Sequence, residues 1–174
     1  MSNLSDEFNK FGKTVIKSSR TNLTKKKKND SKSLYDSLSY KFKESKNSFQ
    51  LDFFMEDYGK FVDKGVKGVG GTKADGTQWK KKAVTSSDYK YTNKRPPAKV
   101  FNNWLVRKGI APRNKGKFTS RKSIQFAIAN SVYHTGLETT NFFTKPFENN
   151  FKKLPDEITE AYGLDVESLL KTSL

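Results

Sequence analysis

Three changes of rhythm along this 174-residue chain predict an α+β fold. Apolar residues recur at helical spacing near the start, alternate with polar ones over residues 38–42 and again over 49–53, and return to helical spacing after Pro96-Pro97. The expected architecture is an N-terminal helix, an antiparallel β-hairpin or small sheet covered by helices, a long basic loop, and a helical C-terminal half.

Leu4, Phe8, Phe11 and Val15 follow one another at steps of four, three and four, the spacing of one helix face, and Ile16 widens the stripe. Ser5 or Asp6 suits the N-cap. Lys10, Lys13, Lys17 and Arg20 fall elsewhere on the cylinder. A helix is expected from about Ser5 to Asn22, ending in TKKKKNDSKS. Its lysines Lys25, Lys26, Lys27 and Lys28 read as a solvated loop, with contact to DNA or an acidic partner as the alternative.

Next the period drops to two. Leu38, Tyr40 and Phe42 alternate with polar residues, as do Phe49, Leu51, Phe53 and Met55. A turn at Ser45–Ser48 sets Phe42 opposite Leu51, Tyr40 opposite Phe53 and Leu38 opposite Met55. The reverse face then carries Lys43 with Gln50 and Lys41 with Asp52, an opposite-charge pair. A one-residue slip would turn every aromatic toward water.

A lone hairpin is marginal in water and needs a cover. Tyr58, Phe61 and Val62 follow at helical spacing and are expected to fold back as a lid, with Gly65 ending the turn. Beyond it, residues 66–99 lose all periodicity. Only Val66, Val69, Trp79, Val84, Tyr89 and Tyr91 are large and apolar there. Ordering such a segment costs about 1–2 kcal/mol per residue in backbone entropy. It is therefore expected to be a mobile arm whose apolar residues bury against a neighbouring copy. The chain is read as one domain made of a helix–hairpin part (1–65), the arm (66–99) and a helical part (100–174).

Pro96-Pro97 suits a helix start, with Val100, Phe101, Trp104 and Leu105 as its stripe and Gly109 as its end. IAPRNKGKF reads as a basic connector. Thr119 or Ser120 caps a helix with an apolar face of Ile124, Ala127, Ile128 and Val132, which Gly136 stops. TTNFF reads as extended, leading to Phe147, Phe151 and Leu154. A short turn after Pro155 holds Ile158 and Tyr162, and Val166, Leu169 and Leu170 finish the chain.

Composition narrows the function classes. The chain has no cysteine and one histidine, so thiolate zinc sites, thiol nucleophiles and multi-histidine metal sites are ruled out. No run approaches the roughly 18 apolar residues of a membrane span, and MSNLSDEFNK lacks the apolar core of a secretory signal. A soluble protein made in a reducing cytoplasm is expected. The net charge of +16 favours polyanions. Its excess lies in the middle of the chain: Lys60–Lys122 holds 18 basic and 3 acidic residues, Ile124–Leu174 only 4 and 7. One basic face is expected, and Lys80, Lys81, Lys82, Lys94 and Arg95 are its candidates beside Lys25–Lys28.

Catalytic motifs are weak. GVGG at 68–71 lacks the strand–helix context and the Lys-Ser/Thr of a phosphate loop. Asp52, Glu56 and Asp57, with Lys60 near, have the residue types of a metal-dependent nuclease; strand solvation and a helix N-terminus explain them more simply. His134 reads as a packing or capping residue. WKKKAVTSSDYKYTNKR interleaves aromatics with cations as single-strand binders do, so nucleic-acid binding through residues 78–95 is the alternative function. No cofactor is expected.

The order of the pieces resembles the tail-completion (neck) proteins of tailed bacteriophages. SLYDSLSYKF leads into the hairpin, DYGKFVDKGV follows its last strand, and FAIANSVYHTG precedes LETTNFFTKPF. In that family a leucine-bearing lead-in precedes the strands, a tyrosine after the last strand opens a helix ending in glycine, and a Pro-Phe packs a terminal helix. Tyr58, Val62, Gly65, Pro146 and Phe147 match those positions. Trp104, Gly136, Phe142 and Phe143 belong to the same late pattern. Where the family ends the tyrosine segment in Glu-Gly-Thr, this chain has Asp63-Lys64-Gly65-Val66. The resemblance implies a non-enzymatic virion protein forming a homo-oligomeric ring (dodecamer or hexamer) between portal or adaptor and tail. DNA would pass through that ring.

Overall fold

The computed structural model describes residues 3–45, 48–85, 87–110, 113–114, 116–118 and 120–172, without the side chains of residues 114, 117, 118, 169 and 172. The fold is α+β. Among the described residues no helix is long and apolar enough to cross a membrane. The chain divides into two compact units, one of residues 1–59 with 141–174 and one of residues 60–140. The stretch 66–99, read from the sequence as a separate arm, falls inside the second unit, because it has a packing partner of its own within residues 60–140.

In the first unit, helix α1 (Asn3–Lys25) buries Leu4, Phe11, Val15, Ile16 and Leu23, so the periodic face is its core face. It runs three residues past Asn22 and ends with Lys27 in the left-handed region (φ 54°). There the Lys28 N–H donates to the Leu23 carbonyl, the longer of the two bonds of a Schellman-type end. A short helix that alternation did not suggest, α2 (Ser33–Ser37), buries Leu34. Strands β1 (Ser39–Ser45) and β2 (Ser48–Phe54) then pair antiparallel.

The register is the expected one: Tyr40 pairs with Phe53, Phe42 with Leu51, Lys41 with Asp52 and Lys43 with Gln50. Leu38 and Met55 lie just beyond the paired residues. On the polar face the ion pair runs diagonally, Lys43 Nζ to Asp52 at 3.8 Å, and both ends are solvated enough to make it weak. Residues 46 and 47 of the expected turn lie outside the described residues.

The hairpin has a different cover from the one expected. Phe8 stacks on Phe42 and Phe49 at 5.3 and 5.4 Å, and Phe11 meets Phe53 edge-on at 6.2 Å. Phe53 also meets Phe143 and Phe147 edge-on, at 5.4 and 5.9 Å. Offset and edge-to-face rings at these separations are the preferred aromatic geometries. So α1 and helix α6 (Thr144–Phe151) form the lid. Tyr58 is exposed, and Phe61, in helix α3 (Gly59–Lys64), meets Tyr89 at 4.7 Å instead. A 23-residue helix with a long apolar face outcompetes a six-residue one as cover.

Of TTNFF, Thr139 and Thr140 lie outside helix and strand, Asn141 is left-handed (φ 48°), and the fully buried Phe142 forms a turn with Phe143. Pro146 is buried in α6, whose Phe147 joins Phe11, Phe53 and Phe143. The segment after Leu154 is a 19-residue helix, α7 (Leu154–Thr172), not a short turn. Leu154, Ala161 and half-buried Ile158 face the core, while Tyr162, Val166 and Leu170 are exposed.

In the second unit, strand β3 (Val66–Lys67) pairs antiparallel with β6 (Gly136–Leu137). A 3-10 turn at Ala98–Phe101 leads to helix α4 (Asn102–Arg107), which buries Leu105 and leaves Val100 before it exposed. Trp104 is half-buried. Gly109, at φ 61°, ends the helix as expected. The basic connector holds a minimal pair, β4 (Arg113–Asn114) with β5 (Lys117–Phe118); its residues 111, 112 and 115 lie outside the described residues. Helix α5 (Arg121–Thr135) is capped by Ser120, whose Oγ accepts from the Ser123 N–H. Its buried residue is Ala129, with Ile124, Ile128 and Val132 half-buried and Ala127 exposed.

Candidate polyanion-binding surface

The basic segment after Gly65 is built onto the C-terminal end of α5. The Val69 N–H donates to the Tyr133 carbonyl and the Gly70 N–H to that of His134. The Lys82 N–H donates to the Thr135 carbonyl, and the Thr139 N–H to that of Ala83. On the other side of β3, the Lys67 N–H donates to the Tyr89 carbonyl and the Tyr91 N–H back to Lys67. Residues 89–91 thus extend β3 and β6 into a three-stranded patch.

Two glycines make this approach possible. A Cβ on Gly68 would lie 2.3 Å from the His134 carbonyl oxygen, and one on Gly136 2.4 Å from that of Val66. Gly136 also sits at φ 83°, ψ −173°, a region open essentially to glycine. Besides stopping the helix, as expected, it lets a strand lie directly on the helix end. Ser87, buried, donates from Oγ to the Gly65 carbonyl at 2.7 Å. Thr139 and Thr140 donate from Oγ1 to the Lys64 and Val62 carbonyls. The carbonyls left over at the end of α3 are thereby satisfied.

The arm expected to be mobile and to bury against a neighbour is packed on its own subunit. Val66 is 6% exposed, and Val69, Trp79, Val84 and Tyr91 are half-buried. Trp79 stacks face to face on His134 at 5.0 Å, Tyr89 meets Phe61, and Tyr91 lies 6.0 Å from Tyr133. The entropic cost of ordering the arm is offset by backbone hydrogen bonds to α5, which leave no apolar periodicity in the sequence. The turn at TKADGTQ is a legible one: Asp-Gly is a hairpin signal, and Asp75 Oδ1 accepts from Thr77 Oγ1 and N at 2.6 and 2.9 Å. Those two bonds hold the Asp75 carboxyl below the usual carboxylate range.

The geometry that results is an alternation of cations and rings. Lys73 Nζ lies over Trp79 at 5.1 Å, Trp79 on His134, His134 edge-on to Tyr133, and the Arg95 guanidinium over Tyr133 at 6.0 Å. His134 bonds through Nδ1 to the Gly70 carbonyl, which can only accept, so Nδ1 carries the proton. This is the packing role expected of it. Lys80, Lys81, Lys82, Lys94 and Arg95 are all exposed. The stem of Lys81 runs past Gly70, where an added Cβ would lie 2.4 Å from its Cε. Trp79 therefore anchors a segment that offers ammonium groups to solvent. In the other unit, exposed Lys25–Lys28 gather at the end of α1, where cations also complement the helix dipole.

Asp52, Glu56 and Asp57 do not form a metal cradle. Gln50 Nε2 donates to both Asp52 oxygens at 2.9 Å, and Glu56 and Asp57 are exposed. Among the described residues no cluster of three acidic, histidine or cysteine side chains could hold an ion.

No family model, curated protein or solved structure matches this chain.

Proposed function

We propose that the chain is a structural subunit of a head–tail connector ring in a tailed bacteriophage, a neck or tail-completion protein without catalytic activity. Its partners in this reading are further copies of itself, a portal or adaptor on one side and a tail protein on the other, with packaged DNA passing through. The observation that carries it is the coincidence of the resemblance's residues with structural junctions. Gly65 (φ 79°) ends α3, the Val62 carbonyl is tied down by Thr140, Gly136 ends α5, and Phe142, Phe143, Pro146 and Phe147 close the core of the first unit. An ordered set of motifs that land on such positions supports a shared framework rather than chance similarity.

The exposed lysines suit a channel lining, where they would screen the phosphates of passing DNA whatever its sequence. The alternative, base stacking by residues 78–95, loses support because Trp79, Tyr89 and Tyr91 each have an intrachain ring partner. The apolar residues of 66–91 are engaged within their own subunit, which favours a subunit contact elsewhere on the chain.

The test is quantitative mass spectrometry of purified particles together with imaging of particles assembled without the chain. A copy number fixed at a ring multiple of six or twelve and located at the head–tail junction is expected, with depletion leaving heads and tails unjoined. A single copy per particle, or unaltered joining after depletion, refutes the proposal.

A further inference from the structure

A groove of about 790 Å³ lies on the first unit, bounded by the second half of α1, by α2 and by the start of β1. Its floor is apolar, from Ile16, Leu38 and the rings of Tyr35 and Tyr40, and its rim carries Lys13, Lys17, Arg20 and Lys25. None of the described residues lining it is acidic. Arg20 is built into the wall: its Nε and Nη2 donate to the Tyr35 and Leu38 carbonyls at 3.0 Å each, and it lies over the Tyr35 ring. Lys13, Lys17 and Lys25 are exposed.

The complementary surface is on the same chain. Tyr162, Val166 and Leu170 of α7 recur every four residues and are 61%, 36% and 62% exposed. At four and seven residues' spacing, Asp156, Glu160 and Glu167 form the adjoining edge, all three exposed, with Glu167 paired to Lys171 Nζ at 2.6 Å, so that Asp156 and Glu160 give the border most of its acidic character. An apolar ridge with an acidic border therefore faces away from the side on which Leu154, Ile158 and Ala161 pack. Ridge and groove share a chemistry in opposite sign.

We infer that the groove of one copy receives the Tyr162–Val166–Leu170 ridge of a second copy. Because the two surfaces differ, the contact is heterologous, and repetition leads to a ring or an open filament rather than a symmetric pair. This deepens the ring reading above, on which it rests, by supplying its subunit contact. Opposite charge sets register and partner choice, and the apolar strip supplies the burial.

The chain has no cysteine, so engineered ones report cleanly. Chains carrying only Thr21→Cys and chains carrying only Val166→Cys are mixed and oxidised, with circular dichroism to verify each fold. The mixed disulfide dimer is expected at least about tenfold above what either variant gives alone, since about 1.4 kcal/mol of specific contact suffices for that ratio. Lys13→Glu with Lys17→Glu on the first chain should abolish it, and Glu160→Lys with Glu167→Lys on the second should restore it. Equal cross-linking by each variant alone, no mixed dimer, a dimer indifferent to the charge reversals, or failure of the reversed pair to restore it overturns the inference. Particle stoichiometry judges the ring reading separately.

Discussion

The Asp165 carboxylate in α7 caps the N-terminus of α1, with Oδ1 accepting from the Asn3 N–H at 2.9 Å and Oδ2 from that of Leu4 at 3.1 Å. Asn3 Nδ2 adds a third bond at 3.1 Å. Those backbone bonds hold the carboxyl below the usual carboxylate range. Its contribution to stability is thus complete above the unfolded pKa of about 3.9 and lost as pH falls through the lower folded value. Asp165→Asn should melt at a lower temperature near neutrality, and the gap to the parent should close on acidification. Thermal melts across the acid range check this; a gap that stays constant with pH contradicts the capping role.

Gly12 faces the ring of Tyr40, and an added Cβ would lie 2.6 Å from Tyr40 Cδ2. Helix propensity alone favours Gly12→Ala by about 1 kcal/mol, but overpacking costs about 1–3 kcal/mol. The ring is held by the hairpin and by the bond from its hydroxyl to Asn9, so the clash should win. Gly163 of α7 meets nothing within 4 Å, and Gly163→Ala should stabilise by about 0.5–1 kcal/mol. Urea titration of the two variants should give shifts of opposite sign.

Gly136→Ala should be among the most damaging single substitutions in the second unit. It combines a backbone conformation costing about 1–3 kcal/mol for other residues with the close approach to the Val66 carbonyl. Hydrogen exchange at Val69, Gly70 and Lys82, whose amides bond to α5, should accelerate by at least about tenfold. Unchanged protection there would mean that β3 does not depend on this approach.

Burial pushes the Tyr91 phenol above its usual value. For such a group stability is complete below the unfolded pKa near 10 and declines as pH rises through the raised folded value. Tyr91→Phe should therefore flatten the alkaline loss of stability, which melts between about pH 9 and 11 would reveal.

Lys80→Glu, Lys81→Glu and Lys82→Glu together should weaken binding to duplex DNA of any sequence. The slope of log affinity against log salt should shrink by up to about 0.9 for each phosphate that is no longer neutralised. Fluorescence anisotropy over a salt series measures it, and weakened binding to one sequence only would contradict a backbone-directed surface.

The hairpin was legible because both faces obeyed one register: with Phe42 opposite Leu51, every polar partner followed. The first helix was equally legible from Leu4 to Val15. Residues 66–91 were not, since their order comes from main-chain bonds to Tyr133, His134 and Thr135, and such bonds leave no mark on side-chain pattern. Only the glycines at 68 and 136 and the Asp-Gly at 75–76 betray them. The full length of helix α7 is hidden in the sequence for a related reason. Its ridge of Tyr162, Val166 and Leu170 has the composition of a core face, whereas the buried side is carried by Leu154, Ile158 and Ala161. The basic residues were found individually, but the series from Lys73 to Arg95 needed the fold to become one surface.

The first unit is assembled from two stretches separated by the whole of the second. Phe8 and Phe11 cannot find Phe143 and Phe147 until residues beyond 140 have emerged from the ribosome, whereas residues 60–140 are contiguous and meet one another earlier. The aromatic core is thus sealed last during synthesis, and α1 with its hairpin waits half-covered while the middle of the chain takes shape.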